Sequence, residues 1–310
     1  MHPAFSILFF TTLSGVGQGL IVAIALAQLA GVGMADGFRW GVLALAEVLL
    51  LAGLAASFFH LGHKTRAWRA VLMWRTSWMS REVIVLPAFI ALNGLWLLAL
   101  AMQWQSPWVG ALPLLAVAGA LALWYCTAMI YACLKFIQEW AHALTIANFI
   151  LIGLSSGAVL CCALAALAGE TALLRWLAPY ALLVTLGAWW SRLSSLRRNA
   201  RLQPISTLQS ATGIASPRLV QKSMGMSAGA FNTREFFHGA SQRAVRSVKG
   251  FFVVTLFVLP TLLASLALGQ DGAWPWVLAA LLQAPGLIAE RWFFFAQARH
   301  PQNLYYQAVS

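Results

Sequence analysis

The sequence predicts an all-α integral membrane protein that crosses the bilayer eight times. Of its 310 residues, 61% are apolar and only 9% are charged. A soluble globular domain is about 45–50% apolar and about 25% charged, so an ordinary soluble fold is excluded. Each span requires about 20 mostly apolar residues, and the chain contains enough for about eight. Long stretches without charged residues, separated by short charged segments, mark the individual spans.

Charged residues divide the chain into these spans. Residues 1–35 and 83–134 contain no Asp, Glu, Lys or Arg. The second stretch is too long for one span, so the polar residues 103–108 are expected to divide it. The predicted helices are, approximately, 5–30, 40–60, 83–103, 109–134, 144–168, 173–191, 250–270 and 274–295. We expect a single membrane domain over residues 1–310, with longer polar loops at 61–82 and 192–249.

Basic residues predict the orientation of this domain. The chain has 20 Lys and Arg but 8 Asp and Glu, which gives a net charge of +12. With both termini in the cytoplasm, 18 of the 20 lie in cytoplasmic segments or at the helix end that adjoins them, leaving Arg39 and Arg175 outside. Because Lys and Arg accumulate in cytoplasmic loops, the pattern predicts an N-in/C-in topology. The positive charge therefore does not indicate nucleic-acid binding.

The densest group of polar side chains follows the second helix. His60 lies where this helix meets the interface, and Glu82 opens the third helix on the same side. An imidazole can hydrogen-bond a quinone carbonyl, and a nearby carboxylate can deliver the protons that quinone reduction requires. Arg66 is a candidate for stabilising negative charge on the quinone or for binding a lipid headgroup. The alternative is an interfacial loop whose Arg and Trp side chains reach the lipid surface.

Two further residues are candidates for this chemistry. Tyr131, near the end of the fourth helix, either lines a quinone-binding pocket or belongs to an aromatic belt at the interface. Glu47 lies inside the second helix, about 10 Å from its outer end at 1.5 Å per residue. An ionisable side chain at this depth is costly and indicates function by default. It either transfers protons or remains neutral and hydrogen-bonded to a neighbouring helix.

The sequence predicts no metal centre in this chain. Its four cysteines lack the spacing of Fe–S or zinc ligands. A haem held by two histidines would need facing residues inside the membrane, whereas His60 and His142 lie only at or near the ends of predicted helices. Gly15 and Gly19 form a Gly-x-x-x-Gly motif, which predicts close packing of the first helix against another.

Two loops are expected to bind a partner. The segment 192–249 carries ten basic residues and one acid, Glu235. A long ordered loop in a compact membrane protein often binds another protein, and the alternative is a basic surface against anionic lipid. The candidate docking residues are His63, Lys64, Arg69, Arg75, Arg81, Arg234, Glu235 and His238.

Several motifs, in this order along the chain, resemble the DMSO reductase anchor subunit (DmsC-type) family. They are His60-Leu61-Gly62 with Arg66-Ala67-Trp68, residues 77–82, residues 231–238, and residues 290–295 with 298–306. The resemblance implies a haem-free membrane subunit that docks a ferredoxin-like Fe–S subunit, which serves a molybdopterin catalytic subunit. It implies electron exchange between a partner [4Fe–4S] cluster and membrane quinone, either ubiquinone or menaquinone. The quinone-site histidine of the family falls on His60, and its conspicuous acid falls on Glu82.

One departure and the topology refine this resemblance. Lys64 stands where the family commonly has proline, which leaves the positions of His63 and Arg66 less secure than that of His60. The predicted topology puts the docking face on the cytoplasmic side of the bacterial inner membrane. In this respect the chain resembles the branch of the family that anchors sulfite-oxidising complexes. The alternatives are an anchor of a DMSO or other S/N-oxide reductase that oxidises menaquinol, and a non-redox permease.

Overall fold

Eight long helices make up the bundle in the computed structural model, which describes residues 1–2, 4–59, 63–223, 236–268 and 272–305. They are α1 (Phe5–Leu29), α2 (Asp36–Phe58), α3 (Trp78–Ala101), α4 (Leu112–Ala132), α5 (Ala143–Ala168), α6 (Thr171–Asn199), α7 (Gln242–Ala267) and α8 (Trp274–Ala296). Each is long and apolar enough to cross a membrane. The described residues contain no strand, so the predicted all-α fold with eight spans is confirmed.

The helices α1 and α5 cross at the centre of the bundle. A β-carbon at Gly19 would lie 2.2 Å from the carbonyl oxygen of Gly153, and one at Gly157 would lie 2.1 Å from the carbonyl carbon of Gly19. Only glycine allows the two backbones to approach this closely. The predicted packing of Gly19 is therefore confirmed. Gly15 has nothing within 4 Å of the corresponding position, so its part in the motif was wrong.

The remaining helices pack around this pair in the same order in each half of the chain. In the first half α1 packs against α2 and α4, and α3 packs against α4. In the second half α5 packs against α6 and α8, and α7 packs against α8. Both halves begin on one side of the bundle. That side, which we call the loop end, carries the described segments 63–77, 133–142, 200–223, 236–241 and 297–305.

Three helices extend into segments that the sequence predicted as loops. α3 begins at Trp78 because Ser77 caps it, accepting a hydrogen bond from the Ser80 amide. α7 begins at Gln242 because Ser241 caps it in the same way. α6 continues to Asn199, since its polar residues after 191 contact protein. The predicted docking loops 61–82 and 192–249 are therefore shorter, and Glu82 lies in the second turn of α3.

A π-helical segment interrupts α7 at Val253–Val258. Pro260 follows it and has no N–H to donate to the Leu256 carbonyl four residues earlier. The Gln283 side chain of α8 donates to that carbonyl instead, at 3.3 Å. Gly286 lets α8 approach closely, since a β-carbon there would lie 2.9 Å from the Leu256 amide nitrogen. The irregular turn is thereby fixed by contacts with α8.

Candidate functional site

A buried carboxylate lies near the loop end between α3 and α4. Glu82 is only 7% exposed, and the Thr127 hydroxyl of α4 donates a hydrogen bond to its carboxylate. A buried acid is costly unless its oxygens are hydrogen-bonded. The Thr127 contact offsets part of that cost and fixes the orientation of the carboxylate. Glu82 thus occupies a membrane-spanning helix but lies close to the loops.

Tyr131 lies one helical turn beyond Thr127, inside a cluster of aromatic rings. Its ring lies 5.2 Å from that of Trp140, 5.8 Å from Phe149, 5.2 Å from Phe294 and 5.5 Å from Phe295, measured between centroids. We call these five residues the aromatic cluster. Tyr131 also lies within electrostatic reach of Glu82 and Arg291. It is therefore an interior residue with an acid and a cation nearby.

Backbone contacts fix the aromatic cluster in place. The Trp140 indole donates to the Phe294 carbonyl at 3.0 Å, and the Thr145 hydroxyl donates to the Trp140 carbonyl at 2.7 Å. His142 caps α5 by accepting from the Leu144 amide at 3.1 Å. Burial and the nearby Arg198 lower the pKa of His142, which favours the neutral ring that this cap requires. The segment 133–142 therefore joins α4, α5 and α8 rigidly at the cluster.

Three buried charged side chains connect α6 and α8. The Arg192 Nε lies 2.7 Å from the Glu290 carboxylate, and the Arg291 Nε lies 3.4 Å from the same group. The Arg291 guanidinium lies 3.9 Å from the centre of the Phe149 ring, in a cation–π contact. The charged group is thus adjacent to the aromatic cluster.

The segment between α2 and α3 presents basic and aromatic side chains on the surface. His63, Lys64, Arg66, Arg69 and Arg75 are all exposed, most of them on the 3-10 helix Lys64–Met73. The large apolar side chains Trp68, Leu72, Met73 and Trp74 are also exposed. No contact joins Arg66 to Glu82 among the described residues. The two quinone-binding candidates Arg66 and Glu82 are therefore not brought into contact with each other.

Arg81 differs from the other basic residues of this segment. Its guanidinium donates to the carbonyls of Trp74 and Arg75, both at 2.9 Å, and lies 4.0 Å from the centre of the Trp78 ring. These contacts close the turn that precedes α3. Arg81 therefore has an intramolecular role in addition to its candidate role in docking.

A cleft of about 690 Å³ opens at the loop end between α6, α7 and the residues after α8. His300 stacks on Phe236 at a centroid distance of 3.8 Å, and His238 and Lys249 also line the cleft. Partial burial lowers the pKa of both histidines. The volume of the cleft lies within the range of ligand pockets. His238 thus lies in a concave surface, whereas the docking candidates Arg234 and Glu235 lie outside the described residues.

Glu47 lies far from Glu82. Its carboxylate accepts a hydrogen bond from the buried Asn93 side chain at 2.8 Å. Eleven residues separate Asn93 from Glu82 along α3, which corresponds to about 16 Å. The fold therefore brings Glu82 and Tyr131 together but not Glu47. His60, the remaining candidate, lies outside the described residues, next to Phe59 after the end of α2.

Comparison with known proteins assigns the family. The family model for the DMSO reductase anchor subunit (DmsC) matches residues 1–218. The chain belongs to this family. It is also similar to a sulfite dehydrogenase subunit of Allochromatium vinosum, with 46% identity over the whole length of both proteins. The family resemblance inferred from the sequence motifs is thus confirmed, and this DmsC-family chain is a multi-pass membrane anchor subunit.

Four residues of the candidate site were not among the site residues predicted from the sequence. Thr127 carries no signal of its own, because hydroxyl groups are common in membrane helices. Glu290 and Arg291 fall inside a predicted span, and ionisable residues there indicate function by default. Arg192 was assigned to a loop because α6 was predicted to end at residue 191. In the described residues no three metal-binding side chains cluster closely enough to hold a metal ion.

Proposed function

We propose that this anchor subunit passes electrons from an Fe–S partner to membrane quinone in a complex that oxidises sulfite. The observation that carries the proposal is the buried Glu82, hydrogen-bonded by Thr127 one turn from Tyr131. Full-length similarity to a subunit of a sulfite dehydrogenase supports sulfite as the electron donor. Membership of the DmsC family supports a membrane quinone as the acceptor.

The proposed reaction divides between subunits. In a molybdopterin catalytic partner, sulfite and water would give sulfate, two electrons and two protons. The electrons would travel through the Fe–S clusters of a ferredoxin-like partner to the anchor. There a quinone would take up two electrons and two protons to become a quinol. The anchor needs no metal for this step, but it must bind the headgroup and supply protons.

Each candidate residue has a role in this proposal. His60 and Tyr131 would bind the quinone headgroup, the tyrosine through its ring and hydroxyl. Glu82 would deliver protons, since a positioned carboxylate can do so by general acid catalysis. Arg66 would approach the headgroup only after movement of the exposed segment 63–76. Glu47 would contribute only if protons came from the other face of the membrane.

The loop end would bind the partner subunits on the cytoplasmic face of the bacterial inner membrane. Exposed basic residues there suit an acidic partner surface, and His238 lies in the adjoining cleft. The docking residues proposed are His63, Lys64, Arg69, Arg75, Arg81, Arg234, Glu235 and His238. The N-in/C-in topology puts this end in the cytoplasm, because it carries most of the Lys and Arg.

Two carboxylate variants test the proton role. In purified complex, with sulfite as donor and decylubiquinone as acceptor, Glu82→Gln should lower the rate of quinone reduction about 10²-fold, since it removes the acid. Glu47→Gln is the matched control and should retain the wild-type rate if protons enter from the loop end. A wild-type rate in Glu82→Gln would exclude Glu82 as the proton donor.

Isolation of the complex tests the partners. The anchor, purified in mild detergent, should bring with it one molybdenum subunit and one Fe–S subunit, both without twin-arginine signals. Partners that carry a cleaved twin-arginine signal would instead favour an exported reductase and the opposite topology. Recovery of the anchor without any redox subunit would favour a permease.

A further inference from the structure

Three buried charges next to the aromatic cluster have no role in the reaction described so far. The side chains of Arg192 and Glu290 are each 1% exposed, and that of Arg291 is 6% exposed. Two guanidinium groups and one carboxylate leave one positive charge in excess. A buried charge without a partner is costly and indicates function by default within a membrane bundle. This excess charge therefore requires an explanation beyond packing.

The excess charge is carried by Arg291. Arg192 and Glu290 form the closer pair, at 2.7 Å, whereas Arg291 lies 3.4 Å from the same carboxylate. Coulomb attraction falls with distance, so the Arg192–Glu290 contact is the stronger of the two ion pairs. Glu290 therefore mainly neutralises Arg192, and the guanidinium of Arg291 faces the Phe149 ring instead.

Arg291 also lines a small chamber among α1, α4, α5 and α8. The chamber has a volume of about 10 Å³, which is close to the space that one water molecule needs. Thr12 and Trp124 line it, and their side-chain polar atoms are buried without a hydrogen-bond partner in the described part of the chain. The Arg291 charge thus borders a small, mostly apolar chamber in which two polar side-chain atoms lack a partner.

One aromatic layer separates Arg291 from the proposed quinone site. Phe149 contacts the Arg291 guanidinium and stacks on the Tyr131 ring, with an interplanar angle of 17°. Tyr131 lies within electrostatic reach of both Arg291 and Glu82. In a medium of low dielectric constant, a fixed charge acts over such a distance with little screening.

We propose that Arg291 is a positioning residue for quinone reduction, whose fixed positive charge stabilises the negative charge that the headgroup acquires beside Tyr131. This inference rests on the proposed function. Electrons and protons need not arrive together, and a preorganised cation favours the charged stage of the reaction. The oxidised quinone is neutral and gains little from it. Loss of the charge should therefore lower kcat much more than it raises KM.

Three variants of the whole complex in lipid nanodiscs test this inference. With sulfite and decylubiquinone, Arg291→Gln should lower kcat about tenfold while KM changes less than about twofold. Arg291→Lys keeps the charge and should restore most of the rate. Arg175→Gln is the same change at an exposed position near the start of α6, at the end of the bundle opposite the loop end. It should have no effect. The inference is wrong if Arg291→Gln retains the wild-type kcat, or if Arg291→Lys loses as much as Arg291→Gln.

Binding of oxidised decylubiquinone, followed by tryptophan fluorescence, distinguishes the two proposals. If wild-type complex does not bind it, the proposed quinone site fails, and this inference fails with it. If wild type and Arg291→Gln bind it equally and only the variant is slow, Arg291 acts on the reaction as proposed. If both bind it and reduce it at equal rates, only the role of Arg291 is refuted.

Discussion

The crossing of α1 and α5 makes a quantitative prediction about stability. In Gly19→Ala the new β-carbon would lie 2.2 Å from the Gly153 carbonyl oxygen and 2.9 Å from the Gly157 α-carbon. Both are backbone atoms, so no side chain can rotate away to relieve the contact. Ordinary contacts begin at 3.4 Å, so the two central helices must separate by roughly 1 Å.

The expected cost follows from that separation. Overpacking of a well-packed interior lowers the free energy of unfolding by about 1–3 kcal/mol. In Gly19→Ala the higher helix propensity of Ala recovers about 1 kcal/mol of this loss at most. Gly15→Ala makes the same chemical change one turn earlier, where nothing lies within 4 Å. It should therefore be neutral or slightly stabilising.

Thermal unfolding of the purified protein in mild detergent, followed by intrinsic tryptophan fluorescence, measures the difference. The Tm of Gly19→Ala should fall by several degrees relative to wild type, whereas the Tm of Gly15→Ala should not fall. Gly157→Ala should behave like Gly19→Ala, because it enters the same contact from α5. Equal Tm values for Gly15→Ala and Gly19→Ala would refute the close crossing.

Two other parts of the structure give further predictions. Glu290→Met should destabilise the bundle by about 3–5 kcal/mol because it leaves the buried Arg192 and Arg291 without their shared carboxylate. Adding Arg192→Met should recover part of that loss, and equal stability of the single and double variants in detergent unfolding would contradict this. Burial lowers the pKa of His300 below 6.5, the ordinary histidine value, so folding favours its neutral ring. The Phe236–His300 stack should therefore weaken as the pH falls below 6.5. Proteolysis of the residues after α8 should then be faster at pH 5.5 than at pH 7.5 in wild type, but not in His300→Phe, which keeps an aromatic ring that cannot titrate.

The sequence predicted which residues belong to the site better than it predicted the residues that they contact. Glu82 was recognised as a candidate because a carboxylate on the same side as His60 can deliver protons to a quinone. Its burial and its bond to Thr127 depend on α4, 45 residues further along the chain. Tyr131 was left between a pocket and an aromatic belt, because both positions lie near a helix end. Only the fold surrounds it with the rings of α5, α8 and Trp140.

The same limit explains the helix ends that were predicted wrongly. Hydropathy ends α6 at residue 191, because Arg192 is charged and polar residues follow. The helix continues because Glu290 of α8 pairs with Arg192 and because Arg198 donates to the Gln138 carbonyl at 3.0 Å. Hydropathy thus predicts a loop at a charged residue even when that residue is buried in a helix by pairing with a residue distant in the sequence.

By itself, the sequence determined the all-α class and the eight spans. In lipid every backbone N–H and C=O group must be hydrogen-bonded within the protein, and a long apolar helix achieves this through local contacts within one segment. The clustering of basic residues at one end is likewise visible in the order of the chain. Only the tertiary structure decided which glycine meets another helix, which acid is held by a hydroxyl group, and which arginine is left with excess charge. Each of these depends on a distance between residues of different helices, and no local pattern in the sequence records such a distance.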